Sequence, residues 1–232
     1  LSKKIIIHDL GNIPFKQAWH LQTTLHQELI ALKRAGDSGN SFKNHTLLLC
    51  EHPHVFTLGK SGDIKNLLQP MDKMHEINAE YHEINRGGDI TYHGPGQLVA
   101  YPILDLEHLF TDVHRYIRSL EAVIIAVLTD FGIQADRIPG LTGVWIDLQS
   151  PKPRKICAIG VHLSRWVSLH GLAFNVNPDL TYFRYIIPCG IQPDEKSVTS
   201  MQQELNVPVE MMDVKNSFIK HFLNTFELEQ VS

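Results

Sequence analysis

The strongest constraint on this chain is a pair of glycines set inside what otherwise reads as a regular strand pair. From residue 155 to 163, Ile156, Ala158, Gly160 and His162 alternate with Cys157, Ile159, Val161 and Leu163, as a strand requires. Residues 166–175 read as its partner, the two forming a hairpin over Ser164-Arg165. Gly160 and Gly171 fall in the strand interiors, where glycine costs stability and marks the close approach of another backbone or a ligand. The chain must therefore pack something directly against the main chain of this hairpin.

The remaining periodicities supply the surroundings. Residues 3–9 predict a short strand. After Pro14 a helix follows, with Ala18, Leu21, Leu25, Leu29 and Leu32 at spacings of three and four and Gly36 at its exit. Residues 36–44 form a polar loop, Thr46 to Cys50 a strand, and Val55 to Leu58 another. Residues 81–104 read as strand, glycine-rich turn and strand. The clearest helix covers 112–131, where Val113, Ile117, Leu120, Ile124, Val127, Leu128 and Phe131 make one stripe closed by Gly132. A strand at 144–147 precedes the hairpin, and a last helix over 212–227 sets Val214, Phe218, Phe222 and Phe226 on one face. Strands with interspersed helices but no regular βαβ alternation predict an α+β fold with a mixed, mainly antiparallel sheet flanked by helices.

Composition narrows the function. An apolar fraction of 43% over 232 residues supports one packed domain. A net charge of −4 argues against a protein that coats nucleic acid. No apolar run reaches the ~20 residues of a membrane span, and the first residues carry no apolar signal core, so a cytoplasmic location is expected. Three cysteines, at 50, 157 and 189, form no Cys-x-x-Cys and predict neither a disulfide scaffold nor a zinc site. Cys50-Glu51-His52-Pro53-His54 lacks a helical pair of ligands, so its histidines are read as structural or substrate-contacting and no metal is expected.

Three segments carry the candidate chemistry. RGGDITYHGPGQ, residues 86–97, holds four glycines in twelve residues and lets a substrate lie against exposed N–H groups. It is neither a Walker A loop nor a dinucleotide turn. Arg86, Tyr92 and His93 add a cation and two hydrogen-bonding groups. In the second segment Lys155 stands at the entrance of the hairpin; alone, it reads as a surface charge. The third is Ile187-Pro188-Cys189-Gly190, where Pro and Gly set a thiol at a loop edge. A thiol is nucleophilic only as thiolate, and a nearby ammonium is one way to make one near neutral pH. Cys50 and Cys157, inside apolar strands, read as small buried hydrophobes.

In this order, RGGDITYHGPGQLVAYPI, KICAIGVHLSRWVSLHGLAFNV and IIPCGI resemble the lipoate-protein ligase B family, the octanoyl-acyl-carrier-protein–protein octanoyltransferases, over residues 46 to 204. The resemblance implies one catalytic domain over residues 1–232, similar to biotin and lipoate protein ligases, with a glycine-rich hairpin over an acyl tunnel. It implies Cys189 as acyl-thioester nucleophile and Lys155 as the lysine that lowers its pKa. It implies substrate binding by Arg86, Gly87, Gly88, Asp89, Ile90, Thr91, Tyr92 and His93, by Ala158, Ile159 and Gly160, and by Gly171, Leu172 and Ala173. The donor would be octanoyl-acyl carrier protein. The acceptors would be lipoyl domains of 2-oxoacid dehydrogenases and the glycine cleavage H protein. No cofactor and no ATP are expected. Glycine-rich N–H groups with His93 are candidates for the oxyanion site, and Lys152, Arg154 and Arg165 for steering acidic partners. Cys157 and His162 depart from the family's usual residues. The rival readings are a lipoyl amidotransferase or ATP-dependent ligase, a non-catalytic acyl-binding module, and a metal hydrolase using His52, His54 and His93.

Overall fold

The computed structural model describes residues 3–35, 45–187 and 197–231. Along the chain run β1 (Lys3–Asn12), α1 (Phe15–Arg34), β2 (His45–Glu51), β3 (Val55–Leu58), β4 (Glu80–Glu83), β5 (Ile90–His93), β6 (Gln97–Ile103) and α2 (Val113–Asp130). There follow β7 (Val144–Ile146), β8 (Arg154–Ser164), β9 (Val167–Asn175), β10 (Ser197–Val198), α3 (Met201–Leu205), α4 (Met211–Phe226) and β11 (Leu228–Gln230).

The large sheet has the order β10-β8-β9-β6-β2-β1-β11, with β7 also paired to β8. Its central pairs β2–β6, β6–β9 and β8–β9 are antiparallel, while β1 runs parallel to both β2 and β11. The middle strands are apolar in both phases because both faces are covered. Leu47, Leu49, Leu98, Ala100, Leu172 and Phe174 join one core with α2 and α4. Leu48, Cys50, Val99, Tyr101 and Ala173 belong to the opposite face, under α1.

The boundaries of α2 and the start of α1 carry local signals. The Asp112 carboxylate accepts the Arg115 N–H at 3.0 Å and caps α2, and Gly132, at φ +73°, lets the chain leave in the left-handed region. Pro14 stands immediately before α1. On α4, Val214, Phe218, Phe222 and Phe226 are all buried, packed against α2 and the sheet. No helix among the described residues is long and apolar enough to cross a membrane. The predicted polar loop over 36–44 lies outside the described residues.

Two local expectations are corrected. The hairpin joining β8 and β9 turns over Arg165-Trp166, both with positive φ, one residue beyond the expected position. The strands expected at the two ends of 81–104 form, but the glycine-rich stretch between them holds a further strand and the two ends lie in different sheets. Both β4 and β5 pair with β3 in a separate three-stranded sheet, and the chain crosses at Gly94-Pro95-Gly96 into the large sheet as β6. The reason is burial: Val55–Leu58 is buried throughout, so its main chain needs partners on both edges. Gly96, at φ +81°, makes the crossing possible, since a Cβ there would press on the Asn177 main chain.

Candidate active site

Between the small sheet and the β8–β9 hairpin lies a cavity of about 430 Å³. Its walls are the 86–91 segment, Lys155, Ala158, Ile159, Gly160 and Val161 of β8, Ala173 and Asn175 of β9, the first turns of α2, and the 140–142 loop. A smaller void of about 40 Å³ adjoins it, sharing Arg86, Thr91, Ala158, Ile159, Gly160 and Ala173 and adding His93, His170, Gly171 and Leu172. The 86–91 segment, the first turns of α2, the 140–142 loop and the β8–β9 hairpin, far apart in the chain, therefore meet around one space.

Arg86 organises the glycine-rich segment. Its guanidinium donates to Gly87 O at 2.7 Å, Asp89 O at 2.7 Å and Thr57 O at 3.1 Å, tying the segment to β3. Asp89 accepts the Ile90 N–H at 2.7 Å and the Asn66 side-chain amide. The Gly87 N–H donates to Val161 O at 3.1 Å, so the segment is laced onto β8. Gly160 makes this possible: a Cβ there would lie 2.8 Å from the Arg86 side chain and from Gly87 O. Gly171 serves a different contact, since its Cβ would drive into the main chain of β6 at Ala100 and into the Pro102 ring. The two strand glycines thus mark one loop contact and one sheet contact.

His93 ends a chain of buried amides with a determined direction. Asn175 Nδ2 donates to Thr199 O, Gln97 Nε2 donates to Asn175 Oδ1, and Gln97 Oε1 is left to accept the His93 Nδ1–H at 2.8 Å. The remaining nitrogen, Nε2, faces the Thr57 hydroxyl at 3.5 Å as an acceptor. Burial holds the ring neutral by lowering its pKa to about 3. His93 therefore has no donor for an oxyanion, and the N–H groups of Gly87 and Gly96 are bonded to Val161 O and Glu51. These oxyanion candidates are withdrawn, because the fold already uses their protons.

Tyr92, His52 and Arg154 do not line the larger cavity, and His170 lines only the smaller void. Tyr92, one residue from Thr91, points to the opposite face of the small sheet, where its hydroxyl meets His54 Nδ1 at 2.8 Å and its ring stacks on Tyr182. His52 donates to Ile13 O at 2.7 Å and accepts from the Tyr101 hydroxyl at 2.8 Å, which engages both ring nitrogens. His170 is a buried residue at φ +61° whose Nε2 donates to Asn85 Oδ1 at 2.7 Å; burial lowers its pKa to about 3. Arg154, proposed for steering, is paired with Glu204 at 2.9 Å and Asp147 at 2.8 Å, so its field is cancelled locally.

Lys155 lies on the cavity wall and is paired on both edges of its strand, with Trp145 of β7 and Val198 of β10. Cys189 lies outside the described residues. The described chain stops at Ile187, whose N–H donates to Asn66 O at 2.8 Å, and resumes at Ser197 beside Arg154. Cys50 and Cys157 are buried, and burial pushes both thiols up, away from thiolate character. The sequence did not single out Val113, Ile117, Leu141, Thr142, Asn175 or Phe183 as cavity residues. Val113 and Ile117 share the period of the core stripe, which hides them; the paired glycines at 140 and 143 were the available signal.

The backbone is similar to the solved structure of a bi-partite lipoate protein ligase from Thermoplasma acidophilum, with a TM-score of 0.65 at 17% identity, covering 100% of this chain and 87% of that one. A mixed sheet with a glycine-rich segment laced over a ligand-sized cavity thus has the α+β fold of the lipoate protein ligases. The pattern of the lipoyl protein ligase A/B catalytic domain matches residues 14–223, and the chain belongs to that family. An octanoyltransferase of Cytophaga hutchinsonii is 53% identical over 232 residues, covering 98% of this chain and 94% of that protein. One from Flavobacterium johnsoniae is 50% identical over 235 residues, covering 100% of both.

Proposed function

We propose that this protein is an octanoyltransferase of protein lipoylation, moving an octanoyl group from octanoyl-acyl carrier protein through a Cys189 thioester to a lysine of a lipoyl domain, without ATP. The observation that carries the reading is the cavity walled by Lys155, the 86–91 segment and Ala158–Gly160, in a chain half identical to octanoyltransferases over its whole length. Ser197 and Val198 pair with Arg154 and Lys155, and Val198 lines the same cavity.

The steps follow from acid–base chemistry. The Cys189 thiolate, stabilised by the Lys155 ammonium, attacks the carrier thioester; the new C–S bond forms as the carrier C–S bond breaks. Lys155 gives its proton to the departing thiolate and is left neutral. The acceptor amine then attacks the acyl-enzyme, the Cys189 thiolate leaves, and Lys155 takes the amine proton. An unperturbed thiol near pKa 8.5 is only a few per cent ionised at pH 7, and a shift of about two units corresponds to roughly 2.7 kcal/mol.

Incubation with octanoyl-acyl carrier protein in the absence of ATP, followed by intact mass measurement, tests the proposal. An octanoyl adduct that hydroxylamine removes, that Cys189→Ser lacks, and that passes to an added lipoyl domain is expected. No adduct, or acylation that requires ATP through an acyl-adenylate, overturns it.

A further inference from the structure

Trp145 is fully buried, and the Lys155 Nζ stands 4.5 Å from the centroid of its ring. The pairing between their strands is irregular at this point: Val144 partners Cys157, yet Trp145 partners Lys155, so Ile156 is an extra residue in β8. Such a bulge re-aims side chains, and here it sets the indole directly across from the lysine. From the same chain segment Gly143, two residues before Trp145, approaches the stem: a Cβ there would lie 3.5 Å from Lys155 Cε. Glu121 holds Gly143 by accepting its N–H at 3.0 Å.

We infer that Trp145 is a positioning residue for Lys155, holding its ammonium charged and aimed along the cavity wall. The inference rests on the reading that Lys155 serves acyl transfer. A ring suits this role better than a carboxylate. An acidic partner would favour the ammonium but cancel its field at a neighbouring thiol. The indole face attracts the cation through a short-range quadrupole and does not itself cancel the charge. Several charged groups of the described residues stand near the lysine, each with bonds of its own. Glu121 is bound by Arg118 and Arg137, Arg154 by Asp147 and Glu204, and Arg86 and Asp89 hold the glycine-rich segment; the buried Cys157 thiol is neutral.

The test replaces tryptophan by a series of increasingly fluorinated tryptophans, which drain the ring face while keeping its shape, alongside Trp145→Phe and Trp145→Leu. Lys155 is followed by NMR in the full chain labelled with 13C-lysine, its resonance assigned with Lys155→Arg. Its titration midpoint should fall stepwise with fluorination and by about half to one pH unit in Trp145→Leu. An unmoved Lys155 titration across the fluorinated series overturns the inference, whatever the activity. Absence of the octanoyl adduct in the unmodified protein instead defeats the functional reading, and leaves the titration to report on the Trp145 contact alone.

Discussion

Gly160 and Gly171 face each other across β8 and β9 and look alike in sequence, but their substitutions should separate. In Gly160→Ala the new methyl meets Arg86 and Gly87, which belong to the cavity wall. The segment must shift, so the loss is chiefly in octanoyl transfer, about tenfold to a hundredfold, with a small change in the urea midpoint. In Gly171→Ala the methyl meets the main chain of β6, which cannot move without opening the sheet. Stability should fall by on the order of 3 kcal/mol. Equal effects of both changes on activity and stability would contradict this division. Both glycines were legible in the sequence as points of close approach; which neighbour approached each was not, because that neighbour is remote in the chain.

At the scale of elements, the 140–143 loop forms a cavity wall by way of a carboxylate on α2. Glu121 is fully buried and accepts from Arg118 at 2.7 Å, Arg137 at 3.0 Å and the Gly143 N–H at 3.0 Å. The two arginines reach solvent, so in Glu121→Ala their charges rehydrate and the main cost is the orphaned N–H. A loss of about 1–3 kcal/mol in chemical unfolding is expected, with reduced transfer activity as the loop comes away from Lys155. Glu121→Gln keeps an acceptor for Gly143 and should recover most of the activity. If Gln is as damaging as Ala, the loop contact is not what Glu121 provides. The apolar stripe of α2 gives no sign of this buried carboxylate, since its partners Arg137 and Gly143 come from 16 and 22 residues further on.

Over the whole molecule, buried histidines tie stability to pH. Burial lowers the pKa of His45 and His52 to about 4, and of His93 and His170 to about 3. The unfolded chain binds these protons near pH 6.5, the folded one only near 3 to 4. Between those limits the unfolded state holds more protons, so stability is full above pH 6.5 and falls as pH drops toward 4. Each such group contributes a slope of about 1.4 kcal/mol per pH unit. Urea midpoints should decline steadily from pH 7 to pH 5. His45 lies outside the cavity wall and accepts the Asp105 N–H through Nδ1 at 3.2 Å, a bond that Asn can replace. His45→Asn should therefore shallow the slope while leaving transfer activity intact; midpoints that stay flat down to pH 5 would refute the account.

Local physics was enough to read most of the elements. Period and caps reveal α1, α2 and α4, alternation reveals β8 and β9, and the glycine-rich run announces main chain close to something. These signals are local because a helix or strand buries its own face whatever it packs against. Tertiary structure alone decided that β4 and β5 share β3, that β6 belongs to the other sheet, that Tyr92 turns away from the cavity, and that the proton of His93 is given to Gln97. It also decided that Val113 and Ile117, part of an ordinary apolar stripe, face the cavity at their end of α2. Each of these depends on which remote strand supplies the partner for a buried polar group or an open edge, and no periodicity in the chain encodes that choice.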